Sequence, residues 1–255
     1  MKKPIVIIGI GELANVFAHG FLRCGYPIYP ITRAMNLAEE CQQIPLPELV
    51  LITVQENKLY SLLEQLPKAW SDKVALVQNE LLPRDWQAHS IKNPTVTVVW
   101  FEKKKGLELT NILQSPSFGP NAEIISNALQ AVEVPAPVLE SEQDLLYELV
   151  RKAVYILTVN IAGLVNNCTV GDLWMKHQAL AREIAKEVIL IQASLVGQIL
   201  PDEKIINGMV EGIEDCPHRY CLGRSALSRL KRALNHAEIA NLTTPKLTQI
   251  AENLA

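Results

Sequence analysis

Ile5-Val6-Ile7-Ile8-Gly9-Ile10-Gly11-Glu12-Leu13-Ala14 is the stretch on which the reading of this chain turns. Four consecutive apolar residues, all β-branched, favour a buried strand, and they run straight into glycines instead of continuing as a longer apolar helix. Gly9-Ile10-Gly11-Glu12-Leu13-Ala14 matches G-x-G-x-x-[G/A] between that strand and a helical pattern over 13–24. In such a turn the first glycine allows the tight reversal and the second lets backbone N–H groups approach a pyrophosphate. The small third residue lets helix and strand pack closely. The helix start then offers free N–H donors and its positive dipole end to an anion. A tight strand-to-helix connection without a ligand is the alternative reading of the same six residues.

Outward from this turn the pattern repeats. Short apolar runs at 28–32, 49–54, 74–77 and 95–100 alternate with helical stretches at 34–42, 57–66 and 81–87. Near-continuous apolar strands alternating with helices predict a parallel sheet covered on both faces. Residues 107–113, a helix at 121–132 and the run 134–139 read as a late extension of that sheet. Pro135 and Pro137 suit an edge strand or linker. From Ser141 onward the strand signals stop. Helical patterns cover 143–165, 177–199, 202–212, 225–236 and 245–253, and the apolar stretch through 153–165 is expected at the centre of this half.

The second strand ends at Thr32-Arg33, where an acidic residue would hold the ribose 2′-hydroxyl of NAD. An arginine there favours the 2′-phosphate of NADP, and no carboxylate follows until Glu39. The alternative for Arg33 is an exposed charge beside a helix start. Lys152 lies three residues after Leu149 and four before Ile156, and Asn160 continues the same helical line. A lysine edged by apolar surface loses hydration, which lowers its pKa and suits it to donate a proton. The alternative is a stem that covers apolar surface while the ammonium stays in water.

Composition narrows the field. Of 255 residues 49% are hydrophobic, enough to fill a core. The 24 Lys and Arg against 27 Asp and Glu, a net charge of −3, argue against a general nucleic-acid binder, which needs a basic excess. No apolar run reaches the roughly 20 residues of a membrane span. Five scattered cysteines fit a reducing cytoplasm better than a disulfide framework. Cys216, His218 and Cys221 lie close together in sequence but lack a fourth ligand for zinc, so no metal is expected and the bland reading is a loop with two ordinary thiols.

Taken together, several segments resemble the ketopantoate reductase (2-dehydropantoate 2-reductase) family. They are the 9–14 turn, Thr32-Arg33, Leu51-Ile52-Thr53-Val54-Gln55, Gln78-Asn79-Glu80, Phe118-Gly119-Pro120, and Leu149-Val150-Arg151-Lys152 with Asn160 eight residues on. Pro245 onward is similar to the family's closing helix. The resemblance implies a Rossmann-type doubly wound sheet domain at 1–140 that binds NADP(H), followed by an all-α substrate and dimerisation domain at 141–255. It implies reduction of a small 2-oxo acid by NADPH, with Lys152 protonating the carbonyl oxygen and Asn79 and Asn160 orienting the reactants. Gly9, Gly11, Glu12, Leu13, Ala14, Thr32, Arg33, Thr53 and Gln55 would line the cofactor.

The departures are specific. Gln55 stands where the family has a cofactor-contacting lysine, Glu80 replaces a glycine, and Ile156 stands where a first helix asparagine is expected. The family's Ser-Ser-Met-x-x-Asp loop and the glutamate that binds the substrate hydroxyl have no counterpart in 216–225. Loss of such a hydrogen bond changes specificity or activity. His218, Arg219 and Arg224 are candidates for another acid's carboxylate, or simply solvated surface. An NADP(H)-binding protein with lost catalysis, in a sensor or regulatory role, is the competing reading.

Overall fold

A computed structural model describes residues 2–254; Met1 and Ala255, the outermost residues of the two expected domains, lie outside it. The chain divides into two compact units between Glu148 and Leu149.

The first unit is built in chain order from β1 (Ile5–Ile8), α1 (Glu12–Arg23), β2 (Ile28–Ile31), α2 (Leu37–Gln43), β3 (Leu49–Ile52), α3 (Leu59–Leu63), β4 (Val74–Leu76), α4 (Pro83–Gln87), β5 (Thr95–Thr97), β6 (Phe101–Glu102), β7 (Thr110–Asn111), β8 (Ser117–Phe118) and α5 (Ala122–Gln130). The main sheet runs β2-β1-β3-β4-β5-β8, parallel as far as β5, with β8 antiparallel at the edge. Every residue of β1 and β3 is buried. Two neighbouring strands and helices on both faces leave such strands no solvent side, so their sequences carry no polar alternation. Chain order reverses between β1 and β3, so a crevice opens beyond their carboxyl ends.

The sheet's late extension differs from expectation. Residues 107–113 do not join it; β7 pairs instead with β6 in a separate ribbon, Phe101 opposite Asn111. The extending strand is β8, pinned to β5 by a Thr97–Ser117 hydroxyl contact of 2.8 Å. Residues 134–139 run beside β8, with Leu139 N–H donating to the Ser117 carbonyl at 2.8 Å. The second helix begins at Leu37, not 34. Thr32 accepts from Met35 N–H to close a turn, and the Asn36 side chain caps α2 by accepting from Ala38 and Glu39 N–H.

The second unit is helical: α6 (Glu142–Val165), whose first residues belong to the first unit, then α7 (Val170–Lys176), α8 (Gln178–Val196), α9 (Asp202–Asp215), α10 (Ala226–Ile239) and α11 (Pro245–Glu252). α8 packs against α7, α9, α10 and α11, and from Leu149 through Gly163 all of α6 except Ile156 is buried. α7 is absent from the sequence pattern, being one short amphipathic turn pair started by the Thr169 hydroxyl, which accepts from Asp172 N–H.

Candidate functional site

The turn between β1 and α1 has the geometry an anion site requires. Gly9 takes φ +95°, a left-handed conformation costly for any side chain, and a Cβ there would also press on Val54 Cγ1 at 3.1 Å. Gly11 is the N-cap of α1 and supplies no side-chain cap. A Cβ on Gly11 would meet nothing within 4 Å, so its backbone faces open space. Ala14 is buried in the apolar cluster with Phe17, Ile125 and Leu129, as the close-packing role requires. Glu12 and Leu13, half-buried, form the first turn of α1. Thr53 anchors the turn from β3: its hydroxyl donates to the Gly9 carbonyl at 2.7 Å and its N–H to the Ile8 carbonyl at 2.9 Å.

Beyond the ends of β1, β2 and β3 lies a cavity of about 920 Å³. It is bounded by Gly9, by 31–38 and by the stretch after β3 that includes Val54, Gln55 and Lys58. Of the residues expected to line the cofactor, Gly9, Thr32, Arg33 and Gln55 come together at this cavity. Gly11, Glu12, Leu13, Ala14 and Thr53 support the turn without lining the cavity. Among the described residues Arg33 and Lys58 are the charged ones that line it, and none of those lining it is a carboxylate. Lys58 was not singled out from sequence. It ends the 3-10 turn Glu56–Lys58, three residues past Gln55, and the signal for it was the missing lysine at 55. An open glycine backbone, an uncapped helix start and a cavity with two cations fit a dinucleotide carrying a further phosphate.

Gln78 and Asn79 follow β4. Gln78 is buried and ties two strands, donating to the Ile52 carbonyl at 2.7 Å while accepting from Val77 N–H. Asn79 is half-buried in the turn after it. Glu80 has φ +58°, the left-handed region in which glycine is at ease. The residue differs from the glycine of the resembled pattern, yet its backbone takes a conformation that a glycine favours.

In the helical unit Lys152 and Asn160 both lie on α6 at 7% exposure. The Lys152 ammonium sits 5.6 Å from the centre of the Tyr155 ring. The Tyr155 hydroxyl accepts from Arg219 Nη1 at 3.1 Å, and burial holds its pKa above the usual phenol value. Asn160 is held at both polar ends: Nδ2 donates to the Cys221 carbonyl at 3.1 Å, and Oδ1 accepts from Arg229 Nη1 at 2.8 Å. Arg229, buried on α10, is the residue that sequence reasoning missed here. His218 and Arg224 are exposed. Residues 216–221 do not form a free loop, because Val170 and Gly171 N–H donate to the carbonyls of Arg219 and Pro217. Among the described residues no cluster of three or more His, Cys, Asp or Glu is arranged to hold a metal ion, and no helix is long and apolar enough to cross a membrane.

No protein-family model matches the chain, and no curated protein matches its sequence. Solved structures do match over nearly the whole length. A ketopantoate reductase from Ralstonia eutropha JMP134 superposes with a TM-score of 0.69 at 14% identity, covering 98% of this chain and 96% of that one. A dimeric ketopantoate reductase from Staphylococcus aureus gives 0.68 at 16%, covering 98% and 97%. D-mandelate dehydrogenase in complex with NADH gives 0.68 at 15%, covering 99% and 97%. At these identities the likeness establishes the fold: this chain has the fold of the ketopantoate reductases, a Rossmann-type sheet followed by a helical part.

Proposed function

We propose that this chain is an NADPH-dependent reductase of a small 2-oxo acid, acting as a homodimer. The observation that carries the reading is the cavity beyond β1, β2 and β3, with Arg33 and Lys58 on its wall and no carboxylate among the described residues that line it. The fold supports it, because it occurs in 2-dehydropantoate 2-reductases and in a D-mandelate dehydrogenase complexed with NADH. The dimeric enzyme from S. aureus supports the assembly. Arg33 and Lys58 neutralise a 2′-phosphate, and the Gly11 backbone with the first turn of α1 receives the pyrophosphate. When bound, NADPH would supply the hydride for reduction of the carbonyl carbon. Lys152 donates the proton to the carbonyl oxygen from a site whose low exposure excludes bulk water, and Asn79 and Asn160 orient the reacting groups.

One feature favours a second reading, an NADP(H) binder without turnover. Where the resembled family has its loop and glutamate, this chain packs 216–225 against Asn160, so closely that a Cβ on Gly223 would lie 2.6 Å from Asn160 Oδ1.

NADPH oxidation across a panel of 2-oxo acids, together with cofactor binding, tests both readings. Arg33→Ala removes a charge-assisted contact of about 1.5–3 kcal/mol, so the NADPH Kd should rise about 10- to 150-fold while that for NADH stays nearly constant. Equal losses for the two cofactors would refute the assignment. Lys152→Ala should abolish turnover with NADPH binding intact, and unchanged rates would remove its role. Tight NADPH binding with no reduction of any acid would favour the second reading.

A further inference from the structure

Cys168 and Cys221 lie 53 residues apart in sequence, yet their Sγ atoms are 3.9 Å apart. Their backbones form a short antiparallel crossing. Thr169 pairs with Tyr220, Cys221 N–H donates to the Cys168 carbonyl at 3.0 Å, and Val170 N–H donates to the Arg219 carbonyl at 2.8 Å. In this register Cys168 and Cys221 are directly opposed at a hydrogen-bonded position. Cα atoms at such a position are about 5.5 Å apart, near the centre of the range that a disulfide spans.

The ladder at this position is half made. The second bond of a regular pair would run from Cys168 N–H to the Cys221 carbonyl. Instead Cys168 N–H donates to Asn166, and the Cys221 carbonyl accepts from Asn160 Nδ2. The opposite side is tightly packed, since a Cβ on Gly163 would lie 2.5 Å from Leu222 N and 2.8 Å from the Cys221 carbonyl carbon. Bringing the two sulfurs to bonding distance, about 2 Å, therefore pulls on the segment that holds Asn160.

We propose that Cys168 and Cys221 form a dithiol that closes reversibly into a disulfide by exchange with a low-molecular-weight disulfide of the oxidised-glutathione class, and that closure changes the setting of Asn160. Cys168 is half-buried and Cys221 fully buried, so the first attack belongs to Cys168. Its thiolate attacks one sulfur of the oxidant, forming a mixed disulfide and releasing one thiolate. Cys221 then gives up its proton, attacks Cys168 Sγ and releases the second thiolate. Two thiols are oxidised and one external disulfide is reduced to two thiols. Burial pushes the Cys221 thiol above its ordinary value, and this persists after Cys168 has entered the mixed disulfide, which makes this second step the slow one.

The test uses the full chain and oxidised glutathione. In the native protein the five free thiols should fall to three and return to five with dithiothreitol. Trypsin cleaves after Lys152, Lys176, Arg219 and Arg224, so the link should join peptide 153–176 to 220–224. Cleavage after Arg219 also separates Cys216 from Cys221, so a Cys216–Cys221 link would be recognised and would overturn the assignment. A stable glutathione adduct on Cys168 that never resolves, or five thiols left untouched, would overturn it equally. Cys168→Ser and Cys221→Ser should each abolish the link, and Cys216→Ser should not. If Cys221→Ser does not fold, the half-buried Cys168→Ser decides. Hydrogen exchange in α6 around Asn160 should differ between oxidised and reduced protein; identical exchange would refute the consequence for Asn160. None of these readouts depends on the proposed reductase activity.

Discussion

The Asn160–Arg229 contact joins helices α6 and α10 across 69 residues of sequence, and its worth follows from the geometry. Asn160→Ala removes one neutral bond, to the Cys221 carbonyl, and one bond from a guanidinium, both buried. Neutral bonds contribute about 0.5–1.5 kcal/mol and bonds to charged groups about 1.5–3, so the variant should lose about 2–4.5 kcal/mol of stability. Arg229→Met removes the guanidinium and leaves Oδ1 without that donor. In a double-mutant cycle the coupling should be about 1.5–3 kcal/mol, since the double variant loses the Arg229 contact only once. Urea unfolding followed by far-ultraviolet circular dichroism measures each corner, because the helical unit dominates that signal. Additive effects, with coupling below about 0.5 kcal/mol, would refute the claim that this pair holds α10 against α6.

Two glycines give opposite expectations. A Cβ on Gly20 would sit 2.1 Å from the Ala128 carbonyl oxygen, so Gly20→Ala must force α1 and α5 apart; the cost is about 2 kcal/mol after helix propensity is credited, a fall in Tm of about 4–8 °C by scanning calorimetry. Gly11→Ala meets nothing and should leave Tm unchanged, yet weaken NADPH about tenfold or more by titration, because the methyl would enter the space proposed for the pyrophosphate; a fall in Tm without a change in affinity would refute this. Alkaline pH should destabilise the fold. Burial lifts the Cys221 thiol from 9.0 to about 12, and burial with the Asp85 hydrogen bond lifts Tyr60 from 10.0 to about 12. Both folded values lie above the unfolded ones, so the stabilisation is complete below pH 9 and is lost as pH rises from 9 towards 12. Urea midpoints should fall over that window, and less steeply in Cys221→Ala; a constant midpoint would refute the assignment.

What was legible in the sequence was local. The β1 turn could be read because four buried β-branched residues, a left-handed glycine and an open glycine each leave a residue-type signature within ten positions. Arg33 followed by the same logic, being fixed by its distance from the end of β2. β8 could not be read, since two residues, one of them a buried serine, carry no period, and its edge position comes from pairing with β5. Lys58 was hidden because a 3-10 turn resets the spacing after β3, bringing a lysine to the cavity three residues late. Arg229 and the Cys168–Cys221 pair depend on contacts between segments more than fifty residues apart, which spacing on one helix cannot express.

The double engagement of Asn160 bears on how any kinetic experiment at this residue is interpreted. A carboxamide has two N–H donors and two acceptor lone pairs, and the two internal contacts use one of each. If the proposed substrate oxygen met the second N–H, a holding role and a reacting role would be combined in one side chain. They separate experimentally because they fail differently. Loss of the holding role moves 216–225 and α10, and appears as a fall in stability and a rise in KM together. Loss of the second N–H weakens only a contact that strengthens as charge develops on the carbonyl oxygen, and appears in kcat. An inactive Asn160→Ala protein alone would thus speak for neither. The Arg229→Met protein supplies the reference, because it disturbs the same packing while leaving both N–H donors of Asn160 in place. Turnover lost in Asn160→Ala beyond that lost in Arg229→Met is the part that belongs to the chemistry.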